Sequence, residues 1–308
     1  MSSPKIDKLT LFSALPAQAI LSNFDSGFIA DPSNRETLFG LWQKANEAYA
    51  RIGLPSRSFA NPADIQPIVK VNQQKIEKTL HRLKLYQPFD SHPTSILNVR
   101  IASLVTPQIT INVSRAEKRS HLKEKMSPDE LFDLSFEPSG GTETITRQIL
   151  GLGPTGGALL FTSYNEDIRL HHPPQYRQLP INEKDPNSLS FESVCMPIGG
   201  GTPFATALRV SISPEATRLV LTNGIHRLYK LAQAGYEWCP LGVTELHPLE
   251  IPDPFVDLPK SILFDPNSNP PLLTDFLNKD VAIPLKYFTV LKTVRLNWNF
   301  EQYATVLK

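Results

Sequence analysis

The sequence predicts an α+β fold with a helical N-terminal region, a mixed-sheet core and a proline-rich C-terminal arm. Apolar residues recur at helical spacing within residues 1–90. Short β-branched or alternating runs, bounded by turn residues, fill residues 91–247. Residues 248–308 form the third region, because eight of the 28 prolines in the chain lie between residues 248 and 284. We therefore expect three consecutive regions with these bounds. The apolar residues between the prolines indicate an arm that lies on its own domain or on a neighbouring subunit.

Two helices are expected in the N-terminal region. Ser33 and Glu36 have the spacing of a capping box, and apolar residues follow at helical intervals as far as residue 52. A second helix is predicted at residues 73–85, with several cations on its outer face. Near the start of the chain, lysines and an A-x-A tripeptide flank a short apolar stretch, as in a signal peptide. That stretch contains two hydroxyls and follows Asp7, which favours an N-terminal helix or loop packed on the core.

The core is predicted to combine strands with short helices. Serine, proline and two acids at residues 127–130 are typical of a helix start. A second short helix is expected at residues 142–150, ending at Gly151. The predicted strands lie at residues 96–103, 108–113, 158–162, 193–198, 205–212, 218–222 and 239–244.

Two motifs are better explained as turns or loops than as ligand sites. Residues 151–156 match the dinucleotide-binding pattern G-x-G-x-x-G, which requires a strand before it and a helix after it. The predicted order is the reverse, so a helix end followed by a turn is the better interpretation. His171 and His172 are adjacent and would point different ways, while Cys195 and Cys239 stand alone. We expect no metal site.

Composition and charge exclude several classes of protein. The 308 residues are 41% hydrophobic and 20% charged, as in a globular chain, and no apolar window approaches the roughly 18 residues of a membrane span. Two cysteines favour a cytoplasmic location over a disulfide framework. The net charge of +1 divides into +7 over residues 1–126 and −6 over the rest. The basic excess suits solvated helix faces or an acidic partner; nucleic acid is allowed, although aromatic residues are not interleaved with it.

The most informative segment is residues 218–235, with the sequence RLVLTNGIHRLYKLAQAG. A short apolar strand leads through an Asn-Gly turn into a helix of about ten residues, which Gly235 is placed to cap. Asn223 can cap the start of this helix, and Gly224 lets a ligand approach the backbone closely. The segment therefore predicts a strand–glycine–helix unit.

Two basic side chains, His226 and Arg227, fall in the first turn of the predicted helix. Cations are unfavourable there beside the helix dipole unless an anion is also bound. The exposed amides, the dipole and the arginine fork together predict a phosphate or carboxylate site. The alternative is that both residues are structural, with Arg227 bridging Glu237 or Asp167.

The segment resembles the phosphate-binding core of the ParB/sulfiredoxin superfamily over roughly residues 190–246. The similarity consists of a strand, the pattern [DN]-G-x-H-R, a helix ending in Ala-Gly and a proline-led strand. This resemblance implies that Gly224, His226 and Arg227 contact nucleotide phosphates, with Asn223 at the turn. Ile225 replaces the catalytic cysteine of sulfiredoxins and the acid of ParB proteins, so neither thiol chemistry nor metal-assisted hydrolysis is expected.

Three functional hypotheses follow. The first is a nucleotide- or phosphate-binding module that acts as a switch or assembly component without strong catalysis, with ATP, CTP or ADP, and Mg²⁺, as candidate ligands. The second is a non-enzymatic structural or protein-interaction protein, in which the 248–284 arm contacts a partner or a second copy. The third is an NTPase or phosphotransferase, which needs a carboxylate near the pocket. The candidate carboxylates are Glu166, Asp167, Asp185 and Glu192.

Overall fold

The structure is a computed structural model that describes most of the chain. The described residues are 5–30, 34–52, 55–86, 92–118, 122–123, 125–137, 146–153, 156–163, 169–170, 175–180, 190–195, 198–199, 204–251, 258–289 and 291–299. The helices are α1 Ala17–Asp25, α2 Arg35–Ile52, α3 Gln73–Tyr86, α4 Val113–Lys118, α5 Pro128–Phe136, α6 Ile225–Gln233 and α7 Lys260–Phe264. The first eight strands are β1 Lys5–Leu11, β2 Ile65–Pro67, β3 Thr94–Arg100, β4 Leu104–Val105, β5 Thr110–Asn112, β6 Thr146–Gly153, β7 Gly156–Ser163 and β8 Arg169–Leu170. The remaining strands are β9 Gln175–Pro180, β10 Ser190–Cys195, β11 Ile198–Gly199, β12 Thr206–Ser213, β13 Ala216–Asn223, β14 Trp238–Leu246, β15 Ala282–Phe288 and β16 Lys292–Asn299.

A mixed six-stranded sheet in the order β2-β3-β14-β12-β13-β4 holds the main core. β12 and β13 form an antiparallel hairpin, and α6 carries the chain from β13 to β14, which lies parallel to β12. Many apolar residues of these strands are fully buried, among them Val210, Val220 and Leu241, because helices and loops cover the sheet. The α+β class is confirmed, and strands occupy the predicted positions around residues 205–212, 218–222 and 239–244.

Helix α3 approaches the sheet closely at a glycine of β14. A Cβ atom built on Gly242 would lie 2.3 Å from Cδ2 of Leu83, which is fully buried. Only a residue without a side chain therefore allows the leucine to occupy this position. Helix α5 also packs on β14. Its predicted N-terminal signals are confirmed, since Ser127 and Glu130 form a reciprocal capping box.

The N-terminal region contains a strand where a helix or loop is predicted. β1 pairs antiparallel with both β15 and β5, so residues far apart in sequence supply its hydrogen bonds. Leu11 and Phe12 are nonetheless buried, as expected of a segment that packs on the core. The predicted helices at residues 38–52 and 73–85 are confirmed. Asn34 Oδ1 accepts a hydrogen bond from the Thr37 amide at 2.8 Å and so caps α2, while the predicted cap Ser33 lies outside the described residues.

The described part of the proline-rich arm packs on its own unit, which is one of the two surfaces that the sequence left open for residues 248–284. The apolar residues Ile251, Leu258, Leu263, Phe264, Leu273 and Phe276 are buried in the main core. Residues 252–257 lie outside the described residues. Arg218 of β13 is fully buried and donates to the carbonyl oxygens of Leu263, Asp265 and Ser268 at 2.8–2.9 Å. These bonds to a buried guanidinium hold the arm on the sheet.

The chain divides into two compact units, at different points from the three predicted regions. One unit comprises Met1–Leu85, Phe89–Ser139 and Pro203–Thr289, and the other comprises Tyr86–Pro88, Gly140–Thr202 and Val290–Lys308. The second unit contains the antiparallel sheet β16-β7-β6 and the pairs β9–β10 and β8–β11. The predicted regions were consecutive stretches of sequence. In the structure β16 pairs with β7, more than a hundred residues earlier, so each unit combines separate stretches of the chain.

The predicted helix at residues 142–150 is wrong for its described part. Residues 146–153 form β6, which pairs antiparallel with β7 through to Gly153 and Gly156. The three glycines of the G-x-G-x-x-G pattern therefore lie in β6 and β7 and not at a helix end, while residues 154 and 155 lie outside the described residues. Thr146 and Ile149 are β-branched and suit a strand, and the cross-strand partners supplied by β7 decide the conformation.

Candidate functional site

The strand–glycine–helix unit forms as the sequence predicts, and its turn requires glycine on two grounds. Gly224 has a φ of 98°, in the left-handed region that side chains disfavour. A Cβ atom at this position would also lie 2.9 Å from the Cβ of Ala205. Gly224 is thus the N-cap of α6, and it brings β13, α6 and the start of β12 into close contact.

Asn223 has a different partner from the one predicted. Its carboxamide Nδ2 donates to the carbonyl oxygen of Phe204 at 2.6 Å, and α6 has no side-chain cap. Beside it, the hydroxyls of Thr206 and Thr222 are 2.6 Å apart and link β12 to β13. Asn223 therefore fastens the residues that precede β12 to the end of β13.

His226 is 7% exposed, and its ring faces the junction of β5 and α4. Its Nε2 atom accepts a hydrogen bond from the Asn112 amide at 3.2 Å. An imidazole nitrogen that accepts a hydrogen bond carries no proton, so this geometry requires the tautomer protonated on Nδ1. In this state Nε2 has no proton with which to bind a phosphate oxygen.

Arg227 is 3% exposed and lies at the C-terminal end of α5. Its Nη1 atom donates to the carbonyl oxygens of Leu134 and Ser135, at 2.7 and 2.8 Å. The last carbonyls of a helix lack intrahelical partners and carry the negative end of the helix dipole, so a guanidinium is favourable there. A cation that is unfavourable on its own helix is therefore placed well for the neighbouring one.

Interior contacts continue from Arg227 into the sheet. The Ser135 carbonyl also accepts from the Ala205 amide at 2.8 Å, and the Ser135 hydroxyl lies 3.2 Å from Sγ of Cys239. Burial raises the pKa of Cys239 to about 11, so the thiol is protonated at neutral pH. Of the two acids that the structural alternative assigned to Arg227, Glu237 pairs with Arg100 at 2.7 Å and Asp167 lies outside the described residues.

The structure thus brings the four predicted site residues together at the start of α6. The side chains of Asn223, His226 and Arg227 form the hydrogen bonds described above with backbone atoms of the same chain. Among the predicted carboxylates, Glu166, Asp167 and Asp185 lie outside the described residues, and Glu192 belongs to β10 of the other compact unit. His171 and His172 also lie outside the described residues. Over the described part of the chain, no group of three or more histidine, cysteine or acidic residues could hold a metal ion.

Part of the basic excess on α3 is neutralised by α5. Lys75 forms ion pairs with Asp129 and Asp133, and the Arg82 guanidinium lies 3.5 Å from the Glu137 carboxylate. Desolvation lowers the pKa of Lys75, but its bonds to the two aspartates outweigh that effect and raise it overall. The acids of α5 are visible in the sequence, but nothing in their spacing pairs them with a helix about fifty residues earlier.

Comparisons with protein-family models, curated proteins and solved structures give no match to this chain. Among the described residues, no helix is both long and apolar enough to cross a membrane. The interpretation of the site therefore depends on its own geometry: a glycine turn whose neighbouring polar side chains hydrogen-bond to carbonyls and an amide of the same chain.

Proposed function

We propose that the chain is a non-enzymatic structural or protein-interaction protein, in which the ParB-like strand–glycine–helix unit serves as architecture. The observation that carries this proposal is the position of Arg227, whose Nη1 atom bonds to the last carbonyls of α5. The residue that the resemblance assigns to a phosphate instead connects α6 to α5.

Phosphate binding by the Nη1 atom of Arg227 would require that atom to leave these carbonyls. Each hydrogen bond to a charged group contributes about 1.5–3 kcal/mol. The Leu134 carbonyl would lose the donor described here, whereas the Ser135 carbonyl would keep the Ala205 amide. The ligand would have to offset this loss before contributing any net affinity. A binding site prepared for an anion would instead hold the guanidinium ready at the ligand position.

The neighbouring side chains support the same proposal. The Nε2 atom of His226 accepts a hydrogen bond, and the carboxamide of Asn223 donates to the Phe204 carbonyl. Both side chains therefore connect separate segments, namely β5 with α6 and residue 204 with β13. Losing either contact for a ligand would also break the connection that it makes between these segments.

A second candidate is the nucleotide- or phosphate-binding module, with ATP, CTP or ADP, with or without Mg²⁺, as the ligand. One observation favours it: α6 begins at a glycine, has no side-chain cap and carries no acid in its first turn. The positive end of the helix dipole is therefore not offset by an acidic residue of that turn. In this case backbone amides, rather than the predicted side chains, would contact the phosphate.

A thermal-shift screen separates the two candidates. The wild-type protein is heated with ATP, ADP, CTP, GTP or inorganic phosphate, with and without Mg²⁺. A ligand at about a hundred times its Kd adds roughly 2.7 kcal/mol, which is a shift of several degrees for a chain of this size. If the chain is a structural or interaction protein, we expect no shift of the melting temperature with any of these ligands. A saturable shift with one nucleotide would overturn it and establish the second candidate.

The screen includes a matched pair of arginine variants. Arg227→Met removes the buried guanidinium, and Arg209→Met removes an exposed one that pairs with Glu245 at 2.9 Å on the same sheet. If a nucleotide shift occurs, its loss in Arg227→Met but not in Arg209→Met would assign phosphate contact to Arg227. The structural function predicts instead that Arg227→Met lowers the melting temperature without changing any response to ligand.

A further inference from the structure

The sheet of the second compact unit ends in a strand with an open side. Its order is β16-β7-β6, so β6 is an edge strand, and among the described residues it pairs with β7 alone. The four consecutive residues 146–149 are all exposed, and Ile149 is 49% exposed. Neighbours along a strand point to opposite faces of a sheet. Exposure of all four residues therefore leaves both faces open to solvent at this end of β6.

One face of this sheet is apolar as far as the open edge. Ile149 of β6 lies opposite Leu159 of β7, which lies opposite Leu296 of β16. In the neighbouring row of the same face, Arg147 of β6 lies opposite Phe161. Arg147 carries the one charge of β6. The apolar face therefore continues across all three strands and ends at an exposed isoleucine.

A β-bulge limits the part of β6 that can pair with a further strand. The register with β7 shifts between Leu150 and Leu152 and passes over Gly151. A bulge increases the local twist and interrupts the regular row of backbone N–H and C=O groups on an edge. The regular part of this edge is therefore residues 146–150, with Gln148 at its centre. Its outward backbone groups offer hydrogen bonds to another strand.

We propose that this edge binds a second copy of the chain, with residues 146–150 of the two copies pairing antiparallel about a twofold axis at Gln148. The segment is complementary to itself in this arrangement. Gln148 faces Gln148 of the second copy, and each carboxamide supplies donors and an acceptor to the other. Arg147 lies opposite Ile149 of the second copy, so like charges are not directly opposed. The aliphatic stem of the arginine covers the exposed isoleucine.

This pairing joins two three-stranded sheets into one sheet of six strands. The apolar faces of the two copies then become continuous, and the exposed edge of each is removed. Five residues of strand pairing bury less surface than a standard protein interface. We therefore expect a weak, reversible dimer with a Kd on the order of 10–100 µM.

The other edge strand of the sheet, β16, is protected against pairing. It carries Lys292 and Arg295, and cations on an edge strand disfavour the addition of a further strand. The contact at β6 uses the same surface on both copies, so it is closed and assembly stops at two. The inference does not depend on the proposed function, because α6 belongs to the other compact unit.

Sedimentation equilibrium of the full chain, at about 5–500 µM, measures this association. Gln148→Lys places two ammonium groups opposite each other at the twofold axis and removes the carboxamide pair. Asn297→Lys makes a matched change at an exposed residue of β16. We expect the Kd to rise about tenfold in Gln148→Lys and to stay at the wild-type value in Asn297→Lys. A wild type that stays monomeric over this range, or a Gln148→Lys variant that associates no more weakly than Asn297→Lys, would overturn the proposal.

Disulfide cross-linking tests the register of the pairing. Directly opposed residues of antiparallel strands have Cα atoms about 4.5–5.5 Å apart, which is within reach of a disulfide. We expect Gln148→Cys to form covalent dimers on mild oxidation, seen by non-reducing electrophoresis. Asn297→Cys should form no more than the wild type, whose two native cysteines set the background. Equal cross-linking of the two variants would contradict pairing at Gln148.

Discussion

Replacing Arg227 by methionine tests the architectural role of the buried guanidinium. Methionine fills a similar volume, so the change removes hydrogen bonds and charge more than it creates a cavity. Nη1 of Arg227 donates to the carbonyls of Leu134 and Ser135 at 2.7 and 2.8 Å. The Ser135 carbonyl keeps a second donor, the Ala205 amide, whereas the Leu134 carbonyl loses the donor described here.

The magnitude follows from these contacts. One charged hydrogen bond is lost with a buried carbonyl left behind, and a second is lost from a carbonyl that keeps another partner, so we expect a loss of about 2–4 kcal/mol. For a cooperative unit of roughly two hundred residues, this corresponds to a fall in Tm of about 5–10 °C. Urea unfolding and thermal denaturation of the same samples measure both quantities.

Two further variants make this result interpretable. Arg227→Lys keeps the charge and a donor on a flexible stem, so we expect about half of the loss. Arg209→Met removes an exposed guanidinium from β12 and should change stability by less than about 1 kcal/mol. If Arg227→Met were no more destabilising than Arg209→Met, the bonds to α5 would not support the fold and the reasoning would be refuted.

Three other predictions concern packing, buried charge and acid stability. Gly242→Ala should destabilise the protein by about 1–3 kcal/mol, because its Cβ atom would lie 2.3 Å from a buried leucine. Gly40→Ala in α2 should stabilise it by about 0.5–1 kcal/mol, because the new Cβ atom meets no atom within 4 Å. Equal midpoints of urea unfolding for the two variants would contradict both expectations. Arg218→Met should lower stability by about 3–5 kcal/mol, because three carbonyls of the arm lose the guanidinium that donates to them. Hydrogen exchange should then rise first in residues 258–268. Unchanged exchange there would show that other contacts hold the arm on the sheet. Hydrogen bonds from the Lys123 ammonium and the Ser127 amide lower the pKa of Glu130 to about 2. The stability that Glu130 gives to α5 is therefore present above about pH 4.5 and is lost as the pH falls towards 2. Glu130→Gln should remove this acid dependence of the helix content, measured by circular dichroism.

The sequence predicts the strand–glycine–helix unit correctly because its signals are local. The apolar strand, the left-handed glycine and the amphipathic helix lie within residues 216–233, and each fixes the conformation of its near neighbours. The capping box at Ser127 and Glu130 succeeds for the same reason. Such patterns need no knowledge of the rest of the fold.

The partners of the site residues could not be predicted in this way. His226 meets a backbone amide 114 positions away, and Arg227 meets carbonyls 93 and 92 positions away. Backbone groups carry no residue-specific signature, so nothing in the side-chain pattern indicates that they will accept or donate at this place. A basic residue in the first turn of a helix can therefore bind an anion or the C-terminal end of another helix. Only the tertiary structure distinguishes these two cases.

The same limitation explains the errors in β1 and β6. Each strand obtains its hydrogen bonds from partners elsewhere in the chain, in the case of β1 from β15 and β5. Strand propensity depends on this pairing more than helix propensity depends on its surroundings. The apolar residues spaced by prolines indicated that the arm lies on a surface, but not on which one. The structure places Leu263 and Leu273 in the main core.

Hydrogen exchange of the first turn of α6, residues 224–228, tests most directly whether this turn is architecture or a ligand site. The wild-type protein is exchanged alone and with millimolar ATP and Mg²⁺, CTP and Mg²⁺, or inorganic phosphate. Because His226 and Arg227 are buried and bonded within the chain, the structural function predicts slow exchange that no ligand alters. Slowing that is specific to one ligand and confined to these residues would contradict it and show that α6 begins at a phosphate site.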